Sequence, residues 1–303
     1  GKYGFIDKTG KEIIPPKYDE GYSFIGGLAK VKLNWKFGFI DKTDNEIISI
    51  RYDYAYNLTE GLVFIRLDKK HGFMDKNGKE ITPLKYDENY NSYFNEGLAI
   101  VKLNGKMGFV DQTGNEVISL NYEFVKPFSE GLAPARSKGN WSFIDKTGKE
   151  IIPLKYDSVD SFSEGLASVG FWHSQKYGFI DKTGKEIIPL KYNNVDSFSE
   201  GLASVGLDGK YGFIDKIGKE IIPLKYDSVD SFSEGLAKVG LDRKYGFIDK
   251  TGKEIIPLKY DYTGSFYKGF ANVEINDKYF YIDKNGTEYY EPWLVVNESF
   301  GLA

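Results

Sequence analysis

The chain has no cysteine and only two histidines and two methionines in 303 residues. Without cysteine there is no disulfide, no thiolate zinc site and no thiol nucleophile. His71 and His173, isolated from each other in sequence, do not make a conventional zinc site either. The missing cysteines leave the compartment open, because a secreted protein need not carry disulfides. No run of about 18 apolar residues occurs, so no membrane insertion is expected. The net charge of −4 argues against nucleic acid as a partner. The 10 prolines are scattered, and no linker interrupts the chain. Nowhere do apolar residues recur at the helical period over two turns, so no helix longer than one turn is expected.

Aromatic residues and glycine are abundant: 23 Tyr, 22 Phe and 34 Gly. They fall in a fixed order. Residues 177–203 read YGFIDKTGKEIIPLKYNNVDSFSEGLA, and nearly the same words return at 211–237 and begin again at 245. The Gly of Gly-Phe-Ile-Asp stands at Gly4, Gly38, Gly72, Gly108, Gly178, Gly212 and Gly246, with Ser142 and Phe280 filling the slot in two copies. A period of this kind sets the architecture before any motif is weighed. The chain is therefore one repeat array, 1–303, with units 3–36, 37–70, 71–106, 107–140, 141–176, 177–210, 211–244 and 245–278 and a partial unit 279–303. Two units are longer by two residues, in 86–97 and in 170–176. The array opens and closes in mid-unit and is expected to be a piece of a longer protein.

Within a unit, Tyr211 to Asp215 has strand chemistry. Asp215-Lys216-Ile217-Gly218 fits a type I turn closed by a left-handed Gly, and only Asp44 replaces that Gly. Glu220-Ile221-Ile222 is the returning strand, which Pro223 is expected to stop. A looping connection through Tyr226, Val229 and Phe232 leads to a third strand, Gly235 to Val239, with Lys225 to Val229 as a candidate short fourth. The hairpin turn before the next unit is Asn104-Gly105 and Asp208-Gly209 in two copies. Where it is Asn34-Trp35, Asp68-Lys69 or Asp242-Arg243, the missing Gly points to a four-residue type I connection instead. Three short strands in each of nine units cannot lie in one flat sheet. The expected fold is all-β: a tandem array of three-stranded antiparallel units forming an open β-superhelix or solenoid. The alternative is a closed, propeller-like ring of blades.

The word [WY]-G-[FY]-I-D-x-x-G-x-x-I-I-x-P-x-Y-D-x-V-x-x-F-x-E-G-L-A-x-V resembles the WG repeat, a bacterial β-repeat family. The resemblance spans nearly the whole chain. It departs at the eponymous Trp, which only Trp141 keeps and which Ser142 rather than Gly follows. The resemblance implies an array used for binding or presentation at or outside the cell envelope, and it brings no catalytic residues and no cofactor. The expected function is accordingly a non-enzymatic module, at the cell surface or secreted, with a protein partner ahead of a glycan. A passive spacer is the alternative.

Several columns could carry chemistry. Asp181, Asp215 and Asp249 belong to a column that either caps turns or, less economically, ligates a cation. Glu164, Glu200 and Glu234, with Asp157, Asp227 and Asp261, form an acidic stripe, but an active site is normally one unusual place and these recur in every unit. The Tyr column and the Phe column read as core. The irregular aromatics differ: Trp35 at a turn tip, Tyr54, Tyr56, Tyr90 and Tyr93 in connections, and Phe171, Trp172 and His173 in the second insertion. These are the candidate binding residues, because large rings on loops fit a contact surface. The stretch 170–176 is expected to bear most of the function.

Overall fold

A computed structural model of the protein describes residues 1–57, 61–88, 93–153 and 155–290. The chain forms two compact units that divide between Ile151 and Ile152. The named elements among the described residues are all strands. The first sheet has two strands, β1 (Tyr3–Ile6) and β2 (Glu12–Tyr18). Eight sheets of four strands follow, each an antiparallel meander in chain order.

The first of these is β3 (Glu20–Gly21), β4 (Ala29–Leu33), β5 (Lys36–Ile40) and β6 (Glu46–Tyr52). The sheet spanning 228–260 has the same plan: Ser228–Val229, Leu236–Leu241, Lys244–Asp249 and Glu254–Tyr260. Apart from the first, each sheet among the described residues is thus four-stranded, not three-stranded as the sequence suggested. It draws two strands from one sequence unit and two from the next. In the sheet at 228–260 the extra strand is only two residues long. Ser228 pairs with Gly240 and Val229 with Val239. So short a segment has no room for an alternating pattern.

Both turn types are set by hydrogen bonds and backbone sign. In Asp215 to Lys219, the Gly218 N–H donates to the Asp215 carbonyl at 2.9 Å, and Gly218 has φ +82°. That is the expected type I turn with a left-handed closing residue. Asp44 holds the same place at φ +69°. The other hairpin turn differs from expectation. Trp35, Lys69 and Arg243 have φ of 66°, 63° and 62°, and the residues before them have φ near 50°. Two consecutive left-handed residues make a two-residue type I′ turn, identical in kind to Asn104-Gly105. The right-handed twist of the flanking strands demands that turn whatever residues occupy it.

Proline does not stop the returning strand. Glu220–Tyr226 runs through Pro223. Phe213 pairs with Ile222 and Tyr211 with Tyr226, so the outer strand carries two more residues than its partner across that step. Pro223 sits in this bulge on an edge strand, where a missing N–H costs little. The bulge also explains the adjacent glycine. A Cβ on Gly212 would lie 2.7 Å from the Pro223 carbonyl carbon and 2.8 Å from the Leu224 nitrogen, and nearer still to the Ile222 oxygen.

The cores lie between successive sheets. One joins Phe247, Ile256 and Tyr260 to Phe266, Ala271, Val273 and Ile282. Phe247 and Phe266 meet edge-on at 4.7 Å. The Phe column from Phe39 to Phe247 is buried, as are Tyr18, Tyr52, Tyr86, Tyr192, Tyr226 and Tyr260 of the Tyr column. Within each of the two units a sheet covers its neighbour's apolar face, which is how a repeat that cannot form its own core becomes stable. His71, in the slot Tyr fills elsewhere, is fully buried and stacks on Phe64 at 5.2 Å.

Candidate functional site

The repeated carboxylates have structural work. Asp249 Oδ1 accepts from Thr251 N–H, Thr251 Oγ1–H and Lys253 N–H at 2.9, 2.6 and 3.0 Å. Asp181 does the same with Thr183 and Lys185, and Asp215 with the N–H groups of Ile217 and Lys219. The hydrogen bond from the Thr251 hydroxyl, opposed by burial and helped by the Thr251 and Lys253 N–H groups, holds the Asp249 carboxyl below its ordinary range. These three aspartates each cap their own turn.

The aspartates after Tyr226 and Tyr260 are clamps. Asp227 accepts from Lys210 Nζ at 2.6 Å and from the Asp242 N–H at 2.9 Å, so it ties a strand end to the type I′ turn. Asp261 repeats this with Lys244 and Asn276. The glutamates run along the array. Glu200 accepts from Gly235 N–H and pairs with Lys250 Nζ at 3.0 Å, and Glu234 accepts from Gly269 N–H and pairs with Lys284 at 3.0 Å. Glu164 reaches Gly201 and Lys216 in the same way, and Glu96 reaches Gly131 and Lys146. Each staples its turn to the turn of the following copy.

The irregular aromatics fall into two separate places. In the unit before Ile151, Tyr54 and Tyr56 lie on β7 (Tyr54–Asn57), which pairs with β8 (Leu62–Leu67). Tyr54 is 42% exposed and its ring meets Phe37 at 6.1 Å and Tyr56 at 5.7 Å. Tyr56 stacks on Phe64 at 4.7 Å, and burial pushes its hydroxyl up to about 12. Trp35 is 80% exposed on the β4–β5 turn, with Lys32 Nζ 4.7 Å from its ring. Lys32 also faces Phe37, and Lys30 lies between Phe37 and Tyr22, 3.8 Å from the Tyr22 ring. Arg66 sits 5.4 Å over Tyr54 and pairs with Glu88. A continuous aromatic and basic patch results: Trp35, Lys32, Phe37, Lys30, Tyr22 and Tyr54.

Sequence reading named Trp35, Tyr54 and Tyr56 but not Tyr22, Phe37, Lys30, Lys32 or Arg66. A signal was present. The position four after the column Tyr is Tyr22, Tyr56 and Tyr90 in early copies and Asp160, Asp196 and Asp230 in later ones. Tyr93 is exposed just before Phe94–Asn95, apart from this patch. Tyr90 lies outside the described residues.

The second place is the four-residue turn 172–175, which replaces the two-residue turn of other copies. Its three candidates separate. Phe171 ends the strand Leu166–Phe171 and packs on Tyr156 at 5.4 Å. His173 leans on Phe171 at 5.3 Å, with Nδ1 3.7 Å from Asp157 Oδ2. Trp172 is 58% exposed and the His173 side chain is exposed as well, so only Phe171 is half-buried.

The model of the WG containing repeat matches residues 3–36, 37–70, 72–106, 107–141, 141–170, 177–211, 211–245 and 245–279. The chain belongs to the WG containing repeat family. The Gly of the family's name is the one held under the bulge of the outer strand, and the turn Gly, the Asp cap and the Glu staple account for other fixed positions of the repeat. Comparison with curated proteins gives no significant match. Among solved structures, a eukaryotic initiation factor is similar over 94% of this chain and 92% of that one, with a TM-score of 0.57 and 13% identity. Hsv2 of Kluyveromyces lactis covers 73% of this chain with 88% of its own, at a TM-score of 0.43 and 10% identity. At such identities the first likeness concerns the fold alone, and the second is too low in TM-score to add to it.

Proposed function

We propose that this WG repeat array is a non-enzymatic binding module whose contact surface is the patch around Trp35, Lys32, Phe37, Lys30, Tyr22 and Tyr54, and whose partner is a protein. The observation that carries this reading is Trp35. It occupies a left-handed backbone position, φ 66°, that suits Gly or Asn and disfavours a bulky side chain. It also leaves a large indole ring in water. Both features cost stability, roughly 1 kcal/mol for the backbone alone. Lys32 over the ring returns only part of that. Trp, Tyr and Arg are the residues that dominate protein interfaces, and Arg66 borders the patch. The non-enzymatic part of the reading is supported by the carboxylate ladders, whose oxygens are engaged in turn caps, clamps and staples.

For the arrangement of the sheets, we infer a propeller-like ring in preference to the open superhelix expected from three-stranded units. Four-stranded meanders are the blade unit of propellers, and that is the support for this choice. Small-angle scattering separates a disc-like particle from an elongated one.

The binding proposal is tested with Trp35→Gly combined with Tyr54→Ala. Immobilised wild-type and variant chains are exposed to extracts, and captured proteins are quantified. A partner held by the wild type and lost at least tenfold by the variant, at unchanged melting temperature, supports the proposal. Loss of binding to an oligosaccharide instead would favour a glycan. Equal capture of every species by both chains would overturn it.

A further inference from the structure

Two lysines in one slot of the repeat meet different neighbours, and the difference bears on what the aromatic and basic patch would bind. Lys30 and Lys238 both stand between the Ala and the Val of Gly-Leu-Ala-x-Val. Their backbones are placed alike. The Lys238 carbonyl accepts from the Asp230 N–H at 3.0 Å, and the Lys30 carbonyl accepts from the Tyr22 N–H at 3.0 Å. Tyr22 is therefore the structural counterpart of Asp230.

The side chains part company there. Lys238 Nζ pairs with Asp230 Oδ2 at 2.7 Å, so that cation is neutralised within its own sheet. In the first copy a phenol ring replaces the carboxylate. Lys30 Nζ lies 3.8 Å from the Tyr22 ring centre and 5.3 Å from that of Phe37, and among the described residues it forms no ion pair. Glu20, the carboxylate nearby, is engaged elsewhere: it pairs with Lys32 at 2.7 Å and accepts from the Tyr22 hydroxyl at 2.7 Å. Burial holds the Lys30 ammonium below its ordinary pKa, and the attraction of Glu20 opposes this only in part. A ring face attracts an ammonium but does not use its three N–H donors as a carboxylate does. The slot itself has no need of a cation, since it holds Phe64, Ile100, Ser168 and Ser204 in other copies. The first copy thus carries a half-buried cation without the anion that answers it around Lys238.

We propose that Lys30 receives a carboxylate of the protein partner, whose docking segment carries Asp or Glu beside an aromatic residue that packs on Trp35 and Tyr54. This rests on the contact surface proposed above and names the chemistry that it selects. The ion pair of Lys238 with Asp230 shows that a carboxylate can reach a lysine in this slot at hydrogen-bond distance. The rings of Tyr22 and Phe37 keep water from one side of the ammonium, which strengthens a pair formed on the other.

The test selects dodecapeptides from a random phage-displayed library on the full chain, and titrates synthetic copies by fluorescence anisotropy. The selected peptides should share Asp or Glu beside an aromatic residue. Lys30→Met keeps the aliphatic stem and should weaken them at least about tenfold at unchanged melting temperature. The same peptides with Asn or Gln for the acid, which leave the protein untouched, should lose as much, and the two changes together should cost little more than either. Tyr22→Asp restores the arrangement of Lys238 and Asp230, and should weaken binding more than Tyr22→Asn, which removes the same ring without adding charge. Peptides that Trp35→Gly with Tyr54→Ala abolishes, but that bind Lys30→Met and tolerate loss of their acid, would overturn this inference and leave the contact surface standing. Losses that add in full when the two changes are combined would overturn it too. A library that yields no peptide sensitive to Trp35→Gly with Tyr54→Ala would remove the contact surface and this inference with it.

Discussion

His71 should make the array acid-sensitive at a pH where its carboxylates are still silent. The imidazole is fully buried, stacked on Phe64 and flanked by Phe73 and Tyr86. Burial pushes its pKa down to about 4 from 6.5, and an attraction to Asp87 opposes this only in part. The folded chain therefore keeps His71 neutral where the unfolded chain has already bound a proton. The sign follows directly: stability is complete above pH 6.5 and falls as the pH drops from there towards 4. A gap of about 2.5 units at about 1.4 kcal/mol per unit gives roughly 3 kcal/mol over the full range. About 2 kcal/mol of that is lost between pH 7 and pH 5. The aspartates and glutamates, with ordinary values of 3.8 and 4.5, contribute mainly below this window.

The comparison is with His71→Met, because Met107 already fills the same slot in the next copy and is buried there. Denaturant unfolding at pH 7, 6 and 5 gives the two curves. The wild type should lose about 2 kcal/mol relative to the variant from pH 7 to pH 5. In melting curves this corresponds to a shift on the order of 5 °C. A difference between the two proteins that stays within about 0.5 kcal/mol across the window would refute the reasoning. It would mean that the imidazole accepts a proton in the folded state at little cost.

Three further outcomes are expected. Gly212→Ala should cost more than about 2 kcal/mol in denaturant unfolding, because its Cβ meets backbone that cannot move aside, whereas Gly209→Ala has open space and bears only the left-handed backbone penalty of about 1 kcal/mol; equal costs would remove the bulge from the explanation. Glu200→Ala with Glu234→Ala should flatten the acid limb below pH 4.5. Burial raises both carboxyls, but the paired lysines and Gly N–H groups outweigh it and hold them below 4.5, so their contribution is present above that pH and lost beneath it; an unchanged acid limb in the double variant would show that the staples add nothing. Trp35→Gly alone should raise stability by up to about 1 kcal/mol, by relieving a left-handed backbone; a clear fall in melting temperature would make Trp35 a packing residue and remove the support for the binding surface.

The period, the strand content, the Asp caps and the buried Phe and Tyr columns could all be read from the residues, because each rests on a local pattern that the repeat shows many times over. The misread features rest on pairing across the chain. Asn34-Trp35 lacks the Gly that marks a type I′ turn, yet strand twist imposes that turn on it. Pro223 looks like a strand end only while the partner strand is ignored; once Tyr211 pairs with Tyr226, the two extra residues form a bulge and the proline has a place in it. The two-residue strand at Ser228–Val229 exists solely through its ladder with Val239 and Gly240.

The same distinction decides where function can lie. A column that recurs in every copy must satisfy the fold in every copy, and the hydrogen bonds of Asp249, Asp261 and Glu234 show how completely it does so. What the fold does not need is visible only where the repeat is broken. The insertion at 170–176 looked the stronger break in sequence, since its neighbours are nearly identical. In three dimensions Phe171 packs onto Tyr156, while His173 and Trp172 stay exposed on the turn, with His173 beside Asp157. Two exposed rings on one turn make a smaller contact surface than the aromatic and basic patch of the early copies. The early copies present the opposite case. Their substitutions look scattered along the sequence, yet β4, β5, β7 and β8 gather Lys30, Lys32, Phe37, Tyr54 and Arg66 beside Trp35. Drift without selection has no reason to place cations and rings within about 4 to 6 Å of one another across separate strands, and that is why the proposed contact surface is placed there.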